Sequence, residues 1–351
     1  MVIKNERELE QIVSRILRAA GADDQNVDIV AHHLVQSNLC GVDTHGIIHI
    51  PLYVREIQDG QILPKARPSI VKESDVSALV RGNWTFGHCA ARYAAEVAIE
   101  KARAQTMAIV SLVECHHIGR LGYYGEMAAG QGMIALVFGG GYSREAPRAA
   151  PFGGRGRNLD TNPIAMAFAN PEEDAGAPVM LDFATTALSG VKVQNAQRRG
   201  EKLPHGSILD KDGNPSREPD DYYNGGSFVA FGGHKGYAMM MAAEYLGRIF
   251  SGADTFADPR HGNMLFRHQG ITMIVFKADL FQPMSAYAAG TDAMAKQTRA
   301  IPPAPGFDRV MVPGDPEART REIRQRDGIP IADDVWSSVA KTAKELGVEI
   351  G

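Results

Sequence analysis

From residue 76 onward, short apolar runs alternate with helical ones, and this alternation restricts the chain to few architectures. SALVRG, MAIVSLV, MIALVFG, PIAMAFAN, VMLDFAT and ITMIVF are short and rich in branched side chains, the pattern of buried strands. Between them, ARYAAEVAIEKARAQ and GYYGEMAAGQG carry the spacing of helices. Strands alternating with helices predict an α/β domain with a mixed, at least partly parallel sheet. The polar, turn-rich stretch 200–226 contains DKDGN, read as a hairpin or surface loop.

The segments before residue 76 read differently. ELEQIVSRILRAAG has apolar residues at 9, 12, 13, 16 and 17, a helical period that stops at Gly21. A second helix is expected after Asp23 and Asp24, with Val27, Val30, Ala31 and Leu34 on its apolar face. A third is expected from GVDTHGIIHIPLY to Gly60, with Asp43 or Thr44 as N-cap. It would place His45 and His49 one turn apart, although Pro51 disfavours helical geometry at Ile50. DDVWSSVAKTAKELGV near the end is again amphipathic and is expected to return to the first lobe. With 351 residues the chain is too long for one small core. The division expected is 1–75 (helical lobe), 76–300 (α/β domain) and 301–351 (return to the lobe).

Bulk properties exclude several classes of function. A formal net charge of −4 without a dense basic tract argues against nucleic acid or an anionic membrane as partner. Cys40, Cys89 and Cys115 are scattered, which points to a reducing compartment, the cytoplasm, rather than a disulfide framework. MVIKNERELEQIV lacks the apolar core of a secretory signal, and no run is long enough to span a bilayer.

Several stretches bear on chemistry. His45 and His49 resemble a metal clamp by spacing, but a helical zinc-protease site needs Glu after the first histidine, and Gly46 stands there. His32–His33 and His116–His117 are adjacent pairs without carboxylates at ligand spacing, so no metal is expected. The GxGxxA match at Gly130–Ala135 follows a helix and precedes a strand, the reverse of a dinucleotide fingerprint. SFVAFGGHKGYAMMMAAEYLGRIF runs from strand through Gly232–Gly233 into a helix, where His234 and Lys235 suit a phosphate-bearing ligand. In VECHHIGRLGYYGE, His116 and His117 follow a strand, which makes one of them an acid/base candidate. LDFATTALSG ends a strand in Asp182, Thr185 and Thr186, groups suited either to a ribose or phosphate or to helix capping.

Six segments in order resemble the second type of malate/L-lactate dehydrogenases, a family that includes ureidoglycolate dehydrogenase, sulfolactate dehydrogenase, diketogulonate reductase and piperideine-2-carboxylate reductase. They are GVDTHGIIHIPLYV, HHIGRLGYYGEMAA, PFGGRGRNLDTNPIA, LDFATT, GGHKGY and PGFDRVMVPGDPE. The resemblance implies an α/β oxidoreductase with a non-Rossmann NAD(P)-binding domain, a mixed sheet, a helical lobe built from both chain ends, and a homodimer. It implies that His45 is the proton donor or acceptor and His117 a second active-site histidine. Thr44, His49, Tyr53 and Thr161, the last beside Asn162 in a TNP motif, are implied to line the substrate pocket. Asp182, Ala184, Thr185, Thr186, His234, Lys235, Pro313, Gly314 and Asp315 are implied to contact the cofactor, NAD or NADP. Arg198, Arg199 and Lys202 are candidates for a 2′-phosphate.

One departure bears on substrate. The family commonly has Arg where this chain has His49, and HHIG replaces its NHFG. An arginine holds a carboxylate with a permanent charge and a two-pronged fork, and an imidazole does neither at neutral pH. The expected substrate is a 2-hydroxy or 2-oxo acid. The alternatives are a diketo-sugar acid, a cyclic imine or a non-carboxylate substrate. A metal-dependent hydrolase and an inactive binding protein are the rivals from other classes.

Overall fold

The structure, a computed structural model, describes residues 1–169 and 179–350. Asn170, the last residue of the PIAMAFAN run, lies outside the described residues.

Helices α1 (Glu6–Ala19) and α2 (Asp24–Leu39) form where the apolar spacing placed them. Asn5 Oδ1 accepts the Glu8 N–H at 2.9 Å, and Asp23 Oδ1 accepts that of Asn26 at 3.1 Å, so each start is capped by a side chain. Leu9, Ile12, Val13, Ile16 and Leu17 share one core with Val27, Val30 and Leu34. Ile329, Ile331, Val339 and Ala343 complete that core. The chain ends meet there: Val2–Lys4 pairs antiparallel with Ile329–Ile331, and helix Asp333–Glu345 packs against α3 (Ile50–Gln58).

The third helix differs from its expectation. Asp43–His45 and Ile47–His49 are two separate 3-10 turns, with Gly46 extended between them, and the α-helix begins only at Ile50. Pro51 is the cause. Its ring clashes with a preceding α-turn, whereas in the first turn of α3 its missing N–H is harmless. Asn38 replaces the expected Asp43 or Thr44 cap. Its Nδ2 donates to Asp43 Oδ1 at 2.7 Å, and its Oδ1 accepts the Ile47 N–H at 2.9 Å.

The α/β part is a seven-stranded sheet. In spatial order its strands are Ser69–Glu73, Ser77–Arg81, Met107–Val113, Gly270–Lys277, Met133–Gly140, Ile164–Ala167 and Met180–Phe183. The sheet is mixed, but only the Ser77–Arg81 and Met107–Val113 pair is parallel. That pair is joined by the crossover helix α4 (Gly87–Gln105), and crossovers of this kind are what parallel neighbours need. Alanines 90, 91, 94, 95, 98 and 102 let α4 approach one face of the sheet, beside α5 (Leu121–Ala129). Helix His234–Glu244 covers the other face through Ala243, against Phe138 and Ile164. The DKDGN loop joins two antiparallel strands, Ile208–Leu209 and Pro215–Ser216, as a hairpin.

Candidate active site

The 3-10 turns, the loop after Met107–Val113 and the ends of the central strands enclose a cavity of about 490 Å³. His45, His49 and His117 line it together. The rings of His45 and His117 stack with centroids 5.7 Å apart, and His49 lies 4.5 Å from His117. The adjacent histidines separate. His117 faces the cavity, whereas His116 turns inward, with Nε2 3.4 Å from Glu56 Oε2 and its ring 4.3 Å from that of Phe266.

Each cavity histidine has a defined neighbour. His45 Nδ1 is 3.1 Å from Thr44 Oγ1. His49 Nε2–H donates to the Thr44 carbonyl at 2.8 Å, which fixes its tautomer. His117 Nδ1 is 2.6 Å from the Tyr53 hydroxyl, which is also 3.5 Å from His88 Nε2. Tyr53 does not line the cavity as expected. Its side chain is 1% exposed and stands behind His117, because α3 starts at Ile50 and turns its Tyr53 face into the core.

Burial dominates the titration of this cluster. It lowers His45 to about 4, helped by His49 and the Arg120 charge, and lowers His88 to about 3. His117 is held well below the ordinary histidine range by burial, then by His49, His45 and His88. Burial also lowers His49, opposed by its bond to Thr44. The cluster is therefore neutral at pH 7. Unfolding releases these histidines to a value near 6.5, so between pH 6.5 and about 4 the unfolded chain binds protons that the folded one does not. Stability is expected to be fully present above pH 6.5 and to fall as pH drops from 6.5 toward 4. Thermal denaturation across that range checks this; a melting temperature flat down to pH 5 would contradict the burial of the cluster.

Of the residues implied to hold a cofactor, Asp182 and Ala184 line the cavity. Asp182 Oδ2 accepts the Gly122 N–H at 2.7 Å, and burial raises its carboxyl to about 6 against that bond. Thr161 lines the cavity too, and its carbonyl accepts from the Thr185 N–H and hydroxyl. Thr185 and Thr186 are buried, and the Thr186 hydroxyl donates to the Leu188 carbonyl. Asn162 is buried behind Thr161, with Nδ2 donating to Glu244 Oε2 at 2.6 Å.

His234 and Lys235 are not brought to this cavity. They open helix His234–Glu244 on the rim of a second cavity of about 830 Å³, lined by Phe152, Arg155, His205, Gly232 and Gly233. The Pro313 carbonyl accepts the Met180 N–H, Gly314 precedes helix Asp315–Asp327, and Asp315 is paired with Arg299 at 2.7 Å. Arg198 and Lys202 form exposed ion pairs with Asp334 and Glu218. The lining also includes Arg120, Tyr142, Arg148, Gln194 and Glu317, which no sequence pattern singles out. Among the described residues, no group of three or more His, Cys, Asp or Glu is placed to hold a metal ion, and no helix is long and apolar enough to cross a membrane.

Comparison with known proteins finds relatives along nearly the whole chain. The chain is 34% identical to an L-lactate dehydrogenase of Cupriavidus necator over 97% of both chains. It superposes on a sulfolactate dehydrogenase of Methanocaldococcus jannaschii with a TM-score of 0.88 and 29% identity, covering 99% of this chain and 98% of that one. A Δ1-piperideine-2-carboxylate reductase of Pseudomonas syringae pv. tomato matches with a TM-score of 0.83 and 27% identity, over 98% and 100%. The protein is thus an oxidoreductase acting on CH–OH groups. Residues 5–340 match the model of the malate/L-lactate dehydrogenase family, and the chain belongs to it.

Proposed function

We propose that the protein transfers hydride between a nicotinamide cofactor, NAD or NADP, and the carbinol or carbonyl carbon of a small 2-hydroxy or 2-oxo acid. The observation that carries this reading is His117, facing a cavity shared with His45 and backed by Tyr53, in a chain of a hydroxy-acid dehydrogenase family. The cavity suits a flat heteroaromatic ring. Ile118, Leu121, Pro163, Met180 and Ile271 supply apolar walls, and the Asp182 carboxyl lines the same cavity. A nicotinamide bound there supplies or accepts the hydride.

The chain's own residues handle the proton. A base is better defined when a second group orients it, and His117 has such a partner where His45 has only the neighbouring Thr44. Burial keeps the Tyr53 phenol neutral, well above its ordinary range. With His117 Nδ1–H donating to Tyr53 and the phenol donating to His88 Nε2, the bare His117 Nε2 takes the proton of the substrate hydroxyl. In reduction the same nitrogen returns it. His45 stands second, stacked beside His117 where it closes the pocket with Thr44 and His49. Tyr53→Phe removes the acceptor of Nδ1–H, and kcat is expected to drop by about tenfold with KM nearly unchanged. An unchanged kcat would remove Tyr53 from the proton chain.

A cyclic imine is the second reading, favoured by the likeness to the piperideine-2-carboxylate reductase and by His49 in place of Arg. A panel of 2-oxo acids, diketo-sugar acids and cyclic imines, each with NADH and NADPH, separates the readings through loss of the reduced-nicotinamide absorbance. Turnover of 2-oxo acids supports the first reading, and turnover of imines alone replaces it with the second. A homodimer belongs to the same proposal. Phe250, Phe281 and Met294 are exposed apolar side chains of the kind an interface covers, and a monomeric mass by sedimentation would exclude it.

A further inference from the structure

His49 is half-buried, its pKa is lowered by desolvation, and its Nε2–H is spent on the Thr44 carbonyl, so it supplies no permanent charge to the cavity. Among the described residues, only Arg120 and Arg148 line the cavity as permanent cations. Arg148 is committed elsewhere. Its Nε and Nη2 donate to the two oxygens of Asp160 at 2.7 and 2.6 Å, and its guanidinium lies over the Tyr142 ring.

Arg120 is different. Its side chain is 2% exposed, yet only one nitrogen has an oxygen partner: Nη2 donates to Glu126 Oε2 at 2.5 Å. Among the described residues, Nε has no hydrogen-bond partner, and Nη1 reaches only Met180 Sδ at 3.8 Å. Glu126 is itself shared with Arg321, whose Nη2 lies 3.8 Å from the same oxygen. A guanidinium in low dielectric with open donors is poorly satisfied as it stands. Gly122 packs closely against it, and a Cβ added there would meet Met180 Sδ at 2.6 Å. The same Cβ would lie 3.1 Å from both Arg120 Nη1 and Asp182 Oδ2, and Arg120 and Asp182 both line the cavity. Asp182 is engaged by the Gly122 N–H, and its charge acts on Arg120 without a hydrogen bond between the two among the described residues. Arg120 also acts electrostatically on His45, so its charge stands close to the acid/base cluster.

We propose that Arg120 is the carboxylate anchor of this protein, taking over through Nη1 the contact that His49 does not make, and so determines its preference for 2-oxo and 2-hydroxy acids. The proposal rests on the 2-hydroxy acid reading above. An anion seated there completes the hydrogen bonding of a buried cation, and charge-assisted bonds of this kind discriminate strongly against neutral analogues.

The test compares the best 2-oxo acid substrate of the wild type with its 2-oxo amide. Arg120→Lys keeps the charge beside Glu126 but loses the planar fork, and Arg120→Met/Glu126→Gln removes both charges together. In each, KM for the acid is expected to rise about 10- to 100-fold, with the acid/amide preference collapsing toward one and kcat changing much less. NADH affinity, read by its fluorescence, is expected to stay unchanged. An unchanged acid/amide preference in either folded variant would overturn the proposal, and so would equal rises for acid and amide. Loss of the fold in both variants would do the same by assigning Arg120 to the fold. If the wild type turns over no 2-oxo or 2-hydroxy acid at all, the functional reading fails first, and the two failures are told apart.

Discussion

Replacing His117 by alanine is expected to lower kcat for hydroxy-acid oxidation by about 10²–10⁴-fold, the range of a lost general base. The expectation follows from position. His117 is the cavity histidine whose Nδ1 is held by a buried phenol, so only its Nε2 is left to face a substrate hydroxyl. His45→Ala is expected to cost less, about tenfold, because His45 has no comparable orienting partner. Steady-state kinetics on both variants settles the order, and a larger loss in His45→Ala would exchange the two roles. The low titration range of His117 adds a pH signature. Oxidation needs the neutral imidazole, present above its pKa, so oxidation is expected to persist below pH 6.5, where an ordinary histidine would already be half protonated.

The second large effect is structural and reaches the same residue. Gly87 opens α4 directly against the loop that carries the paired histidines, and a Cβ there would collide with the carbonyl oxygens of His116 and His117. Neither obstacle is a flexible side chain, so Gly87→Ala must shift backbone. Overpacking of this kind costs about 1–3 kcal/mol. A reduced denaturation midpoint accompanied by lost turnover is expected. A variant with both unchanged would mean that the helix start and the histidine loop tolerate separation.

Much of the fold was legible because period and burial agree in the segments that form it. Leu9, Ile12, Val13, Ile16 and Leu17 face one core, and ITMIVF, apolar but for Thr272, is a central strand that buries Ile271, Met273 and Val275. The sheet's direction was less legible: apolar runs do not reveal whether neighbours are parallel, and only one pair here is. At the site, GVDTHGIIHIPLY suggested one helical turn between His45 and His49, whereas Gly46 and Pro51 divide it into two 3-10 turns. Both histidines still reach one cavity, by a route their spacing does not describe.

The resemblance implies that Tyr53 lines the pocket, whereas its hydroxyl stands behind His117, 2.6 Å from Nδ1. Arg120 is not legible in the sequence, which does not show whether an arginine is solvated or buried with open donors. The available signal was its position, a lone cation between Gly119 and Leu121 in a largely apolar, glycine-rich run after a strand. Glu317 had no signal of that kind. It reaches the cavity because Asp315–Asp327 docks back over α2, through Arg324 to Asp43 at 2.6 Å and through Arg321 to Cys40 Sγ at 3.1 Å.

Hydride transfer itself is tested most directly by isotope. With nicotinamide deuterated at the transferring C4 position as the reductant, the 2-hydroxy acid formed from a 2-oxo acid should carry one deuterium at C2, read by mass spectrometry, in amounts equal to the cofactor consumed. Product without deuterium at that carbon, or no product from any acid of the panel with either cofactor, would contradict the account.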